Sequence, residues 1–393
     1  MPEKKLKIAF LTPEYPHSKV KYAAGLGTSV GNLTKALGKQ GHSIYVFIYG
    51  QNKDDYFIEN GIHFYLIGDK TYGFAKWFRY RKHIQHSIQK VISEENIDVL
   101  EVADWTGISA LMRFSIPVVM RFHGSDRYFC YLENRKQKLK NILFELLAVR
   151  GAVAFIAPTA FAGQLSKKLF KISDKKAIET IHYGLQLENF INDKPTIFET
   201  NTVLYIGTLV RKKGVLELPE IFKKVKQKVP TAKLVLIGSD APDIVTGSSS
   251  TWELMKERFN DINLRDVQYL GKVPYNEVQN SIKNAHVCVF PTFAETLGMV
   301  TIESMSLQKP VVNSNIGWAQ ELMEDGKSGF LIHPKAHELY ASKIVSLLEN
   351  EDLCLNMGKA AKQFVEERFD IDKQAKKNIE FYKARLNETK KKN

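Results

Sequence analysis

The stretch Val287-Cys-Val-Phe-Pro-Thr-Phe-Ala-Glu295-Thr-Leu-Gly298-Met-Val-Thr-Ile-Glu303 reads in three parts. Val287 to Phe290 is an apolar run of strand length. A loop with the first carboxylate, Glu295, follows. From about Leu297 the spacing is that of a helix, and the second carboxylate, Glu303, lies inside it. A buried strand leading through a loop into a helix is the repeating unit of a parallel sheet. A helix beginning near Leu297 to Val300 offers unpaired backbone N–H groups to an anion. Gly298 allows a ligand to approach the main chain closely. Helical side chains tilt toward the N-terminus, so Glu303 points back toward the same place. A carboxylate there suits a pair of hydroxyls such as a ribose diol, and the apolar residues around Glu303 speak against an ordinary solvated helix face.

The same unit recurs on both sides. Thr202 to Ile206, Lys233 to Ile237, Val267 to Leu270, Pro310 to Asn313 and Gly329 to Ile332 read as further strands, with a helix near Val215 to Val229. Lys7 to Leu11, Ser43 to Ile48, Ile97 to Val102 and Ile116 to Met120 form an earlier series, with helical text over Thr28 to Leu37. The polar segment Gln186 to Asn201 separates the two series. The fold class is therefore α/β, with two doubly wound Rossmann-like domains expected to face a central cleft. We place the first domain at 1–187 and the second at 188–372. A terminal helix over 373–393 is expected to cross back to the first domain. Asp240 to Thr251 reads as a polar, mobile surface loop.

Composition narrows the class. The chain has 393 residues, enough for two or three domains. Hydrophobic residues make up 44% and charged residues 25%, which excludes a disordered or collagen-like chain. The formal net charge is +13, and residues 1–190 carry 27 Lys/Arg against 17 Asp/Glu. That excess in the first half points to an anionic partner. Three cysteines, Cys130, Cys288 and Cys354, lie far apart, so neither a disulfide framework nor a zinc cluster is expected. No apolar run approaches membrane-spanning length. The N-terminus runs from charge straight into a strand, so a secretory signal is not expected. A cytoplasmic location is expected, peripheral at the inner membrane face. No nucleic-acid recognition module is visible.

The Glu295-to-Glu303 segment resembles the Glu-x7-Glu motif of retaining family-four glycosyltransferases, whose two-domain architecture is called GT-B. Three more segments are similar to that family in order and spacing: Gly207-Thr-Leu-Val-Arg211-Lys-Lys213-Gly214, Leu270-Gly-Lys-Val-Pro, and Glu321-x4-Gly326-x-x-Gly329. In the first half Gly25-Leu-Gly27-Thr-Ser resembles the family's glycine-rich loop. Arg121-Phe-His123-Gly124 resembles its strand-end histidine.

The resemblance implies a retaining, metal-independent hexosyltransferase that needs no cofactor beyond its UDP- or GDP-sugar substrate. The implied acceptor is a cell-surface polysaccharide or a lipid-linked saccharide. The alternatives are a synthase acting on a free sugar or sugar phosphate, and a non-catalytic GT-B binding scaffold. His123, Lys213 and Glu295 are the implied catalytic residues. Donor contacts fall to Gly27, Thr208, Arg211, Leu297, Gly298, Met299, Val300 and Glu303. Glu303 would hold the ribose and Glu295 the donor sugar. Thr208 stands where the family has an arginine, and Arg211 is expected to restore that charge at the diphosphate. Asp370-Ile-Asp372 has the spelling of a metal motif but reads as helix capping. Tyr72 to Lys90 and Phe129 to Lys140 interleave aromatic and basic residues. Both fit either an anionic membrane surface or helices packed on the core, and for both the core reading is preferred.

Overall fold

The computed structural model describes residues 4–259 and 264–390. The chain divides into two compact units, residues 1–186 with 370–393, and residues 187–369.

The first unit runs β1 (Lys7–Thr12), α1 (Gly25–Lys39), β2 (Ser43–Gln51), β3 (Asp55–Glu59), β4 (Ile62–Gly68), α2 (Lys76–Glu95), β5 (Val99–Ala103), β6 (Val118–Arg121), α3 (Asp126–Leu132), α4 (Leu139–Gly151), β7 (Ala154–Ala157), α5 (Ala160–Phe170) and β8 (Ile178–Thr180). These strands form one sheet in the order β3-β4-β2-β1-β5-β6-β7-β8. All neighbours pair in parallel except β3, which is antiparallel to β4. The β3–β4 hairpin escapes the strand-by-strand reading, although its Asn60-Gly61 turn is a strong hairpin signal. Both turn residues take positive φ, 51° and 74°.

The sheet buries both faces. Phe47, Leu100, Met120 and Phe155 pack on one side with Ile84, Ile88 and Phe144 from α2 and α4. Ile8, Phe10, Val46 and Ile156 pack on the other with Leu33 and Leu37 of α1.

The second unit contains β9 (Thr202–Ile206), α6 (Leu218–Lys228), β10 (Lys233–Ile237), α7 (Thr251–Lys256), β11 (Val267–Tyr269), α8 (Tyr275–Asn284), β12 (Val287–Phe290), α9 (Met299–Ser306), β13 (Val311–Asn313), β14 (Phe330–Leu331), α10 (His337–Glu349) and α11 (Glu351–Arg368). Its sheet is wholly parallel, in the order β11-β10-β9-β12-β13-β14. The last helix, α12 (Ile371–Lys390), belongs to the first unit. Its stripe Ile371, Ala375, Ile379 and Tyr382 joins the α1 face of that core.

A polar network also ties α12 down. Arg121 on β6 forks onto Glu101 on β5 at 2.7 and 2.9 Å. Asn378 accepts a hydrogen bond from Arg121, and Tyr382 donates one to Glu101. Arg121 and Glu101 are each 3% exposed, so every partner matters. Asp370 accepts from the Asp372 N–H at 2.8 Å, which is the capping role expected of that segment.

Parallel sheets bind ligands beyond the carboxyl ends of their strands, where the strand order reverses. In the first unit this point lies between β1 and β5, and in the second between β9 and β12.

Candidate active site

In the second unit the two loops at the reversal point are stitched together by main chain. Phe293 and Ala294 N–H groups both donate to the Lys212 carbonyl, at 2.8 and 3.2 Å. The first loop closes in a single turn at Arg211–Lys213 and ends at Gly214, whose φ is 70°. A Cβ at Gly214 would lie 1.6 Å from the Pro291 carbonyl oxygen. Only glycine fits there, and its close approach brings the β9 loop against the β12 loop.

This approach pairs Lys213 with Glu295. The ammonium makes a salt bridge to the carboxylate, and both side chains are largely buried. Burial alone would push the Glu295 carboxyl up, but Lys213 outweighs it and holds the carboxyl below its usual range. The second oxygen of Glu295 accepts from the Thr296 N–H at 3.1 Å. The expected phosphate lysine and the expected sugar carboxylate therefore stand side by side.

Glu303 occupies the second turn of α9 and is only 6% exposed. The Tyr275 hydroxyl, at the start of α8, donates to it at 3.0 Å. Burial pushes the Glu303 carboxyl up to about 7, with the Tyr275 hydrogen bond opposing. Gly298 caps α9 with φ 102° and carries no side chain that could accept from this end of the helix. The N–H groups of Met299 and Val300 thus open the helix beside Glu295 in sequence, as an anion site requires.

Arg211, expected in the diphosphate clamp, is engaged by the chain itself. Its guanidinium forks onto Asp243 at 2.7 and 2.8 Å. Asp243 also accepts from the Thr246 N–H at 3.0 Å and hydroxyl at 2.7 Å. The arginine holds the Asp243 carboxyl far below its usual range, against the effect of burial. The loop read as mobile is therefore braced through Asp243, and most of Arg211's hydrogen-bonding fork is directed at that brace. Thr208 is exposed, and its carbonyl accepts from the Tyr205 hydroxyl at 3.2 Å.

In the first unit His123 follows β6. Its N–H donates to Asp104 at 2.9 Å, and its Nδ1 meets the Tyr183 hydroxyl at 2.8 Å with the rings stacked. Burial, helped by the Arg121 charge, lowers the imidazole to about 3. The ring is neutral near pH 7 and serves as a positioned hydrogen-bonding group, not as a charge. A small pocket beside it is lined by Ser29, Arg121, His123, Tyr183 and Asn378.

Gly27 opens α1, and its N–H donates to Glu14 at 3.2 Å. Burial raises the Glu14 carboxyl, and the Gly27, Ala24 and Leu26 amides counter that shift. A carboxylate of the chain itself therefore sits at the helix end expected to meet the donor.

Sequence reading missed Glu14, Asp104, Tyr183, Asp243 and Tyr275. Asp104 follows β5 directly, so the strand-end rule was available for it. Glu14 lies two residues beyond β1 and falls under the same rule; Tyr183, Asp243 and Tyr275 carry no local signal, because each meets its partner from a segment distant in sequence. Among the described residues no cluster of three His, Cys, Asp or Glu side chains is arranged to hold a metal ion. The three cysteines are buried and free.

Each unit matches a known family model. The model of the Glycosyl transferases group 1 family matches residues 188–364, and that of Glycosyltransferase Family 4 matches residues 23–189. A trehalose synthase of Thermococcus litoralis is 26% identical over 65% of this chain and 57% of its own length. Among solved structures, sucrose-phosphate synthase from Thermosynechococcus elongatus superimposes with a TM-score of 0.77 at 18% identity, covering 97% of this chain and 99% of that one. Anabaena HepE in complex with UDP-glucose gives 0.72 at 17% identity, covering 96% and 100%. At these identities the solved structures establish the shared fold.

Proposed function

The chain belongs to the GT-B glycosyltransferases, family four in its first unit and group 1 in its second, and from this we propose that it moves a hexose from a UDP- or GDP-sugar to a free sugar or sugar phosphate. The observation that carries the donor half is the Lys213–Glu295 pair at the strand reversal, with Glu303 following on α9. Lys213 and the Met299 and Val300 amides meet the diphosphate, whose charge grows as the glycosidic bond breaks. Glu295, held ionised by Lys213, takes hydroxyls of the donor sugar, and Glu303 takes the ribose diol. His123 donates to a hexose hydroxyl as a neutral imidazole. The acceptor hydroxyl attacks from the face the nucleotide leaves and passes its proton to the departing diphosphate oxygen, so the anomeric configuration is retained and no covalent nucleophile is needed.

Likeness to a trehalose synthase supports the small acceptor. A second reading, transfer to a lipid-linked saccharide or cell-surface polysaccharide, is favoured by an exposed aromatic and basic surface on the first unit. The test is a matrix of UDP- and GDP-hexoses against free sugars, sugar phosphates and lipid-linked saccharides, with the product's anomeric proton read by NMR. Retained product from a soluble acceptor supports the first reading. Product only from lipid-linked acceptors supports the second, and no turnover with any donor would reject both.

A further inference from the structure

The two aromatic and basic stretches, remote in sequence, meet at one place on the first unit. On α2 the core takes Ile84, Ile88, Val91 and Ile92, a helical stripe that leaves the first turn outside. Phe74 just before the helix is 79% exposed, and Trp77 and Phe78 are 40% and 38% exposed. The core reading preferred for this stretch therefore holds for its aliphatic residues and for Tyr80, which packs against them, and fails for Phe74 and Phe78, while Trp77 lies half on the core and half outside it.

Trp77 packs its ring at 4.8 Å from Phe144 of α4, which joins the N-terminal turns of the two helices. On α4, Leu139 and Leu143 lie one turn apart and are 83% and 56% exposed. Lys140 reaches over the Trp77 ring and Lys82 over the Phe78 ring.

Positive charge surrounds these apolar groups. Lys76, Arg79, Lys136, Lys138 and Lys140 are all exposed. No Asp or Glu occurs between Lys70 and Ser93, or between Asn134 and Phe144. The nearby carboxylates, Asp126 and Glu133, are taken up by Asn141 and Arg135, and the exposed lysines around the protruding aromatic and leucine side chains complement an anionic bilayer. The rings and leucines enter the acyl boundary while the lysines meet the headgroups.

We propose that the N-terminal turns of α2 and α4 together dock this protein on the surface of an anionic lipid bilayer. The proposal deepens the second reading of the acceptor but does not require it, because its test is binding and not turnover.

Vesicles of phosphatidylcholine, with and without phosphatidylglycerol, are floated with the full-length protein at low and high salt. The wild type should float with the anionic vesicles at low salt and be released by salt. Lys138→Ala with Lys140→Ala should weaken partitioning by roughly 20-fold or more, taking about 5-fold per basic residue. Phe74→Ser with Leu139→Ser should weaken it by at least about 10-fold. All four positions are exposed, so the thermal midpoint should stay unchanged, and so should turnover of any soluble acceptor measured without vesicles. Failure of the wild type to float would overturn the proposal. So would flotation that is insensitive to Phe74→Ser with Leu139→Ser and abolished by soluble heparin, since the surface would then be a general polyanion site.

Discussion

With Glu303 taking the ribose diol as proposed, nucleotide-sugar binding should release a proton, because burial raises the Glu303 carboxyl to about 7 in the free protein. In the free protein its carboxyl is pushed up to about 7 by burial, with Tyr275 as the stabilising partner. A ribose diol donates two hydrogen bonds and so favours the carboxylate. If only the ionised form binds, the apparent dissociation constant carries the factor 1 + 10^(pKa − pH). With a pKa near 7 that factor is about 11 at pH 6 and about 1.1 at pH 8. Affinity should therefore rise roughly 10-fold from pH 6 to pH 8, equivalent to about 1.4 kcal/mol.

Titration calorimetry with the nucleotide sugar that binds gives the affinity. Buffers of different ionisation enthalpy give the proton count. A sugar diphosphate diester keeps its charge across this range, so the ligand does not confuse the reading. Glu303→Gln should bind weakly and without pH dependence. Tyr275→Phe removes the hydrogen bond that favours the ionised form, so its transition should move to higher pH.

Stability should show the complementary sign. A carboxyl raised in the folded state contributes stability below its unfolded pKa, near 4.5, and loses that contribution as pH rises through about 7. Wild-type affinity that stays flat from pH 6 to pH 8, with no proton released, would refute the reasoning.

Lys213→Ala should cut turnover by roughly 100-fold or more, the scale of losing a charged transition-state contact. Arg211→Ala tests the shifted clamp against Lys212→Ala as control. A direct phosphate contact predicts a loss of that same order, whereas a brace acting through Asp243 predicts faster hydrogen exchange across residues 240–250 with a smaller loss. Gly214→Ala should lower the thermal midpoint sharply, because its Cβ would overlap the Pro291 carbonyl and its φ is 70°. Near-wild-type melting would contradict that geometry. Glu101→Ala should destabilise the first unit by about 3–5 kcal/mol in denaturant unfolding, since it leaves Arg121 charged and buried. A loss below about 1 kcal/mol would show that solvent reaches Arg121.

Strand runs such as Thr202–Ile206 and Val287–Phe290 were readable residue by residue, because a strand buried on both faces must be continuously apolar. The Glu295 and Glu303 positions were readable as well, since a strand, a loop and a helix fix which residues lie beyond the strand's end. The first turns of α2 and α4 were ambiguous in sequence, because aromatic residues serve a core and a surface equally well. Partnership was not legible at all. Asp243 takes up Arg211 across 32 residues, Tyr275 holds Glu303 across 28, and Tyr183 stacks on His123 across 60. Each such pair depends on which strands become neighbours, and strand order is a property of the packed sheet. Local sequence sets the period and termini of an element through hydrophobic burial and backbone sterics, which act over a few residues. Charge state and side-chain partnership depend on burial and on distances of a few ångströms, and these exist only once the chain has folded.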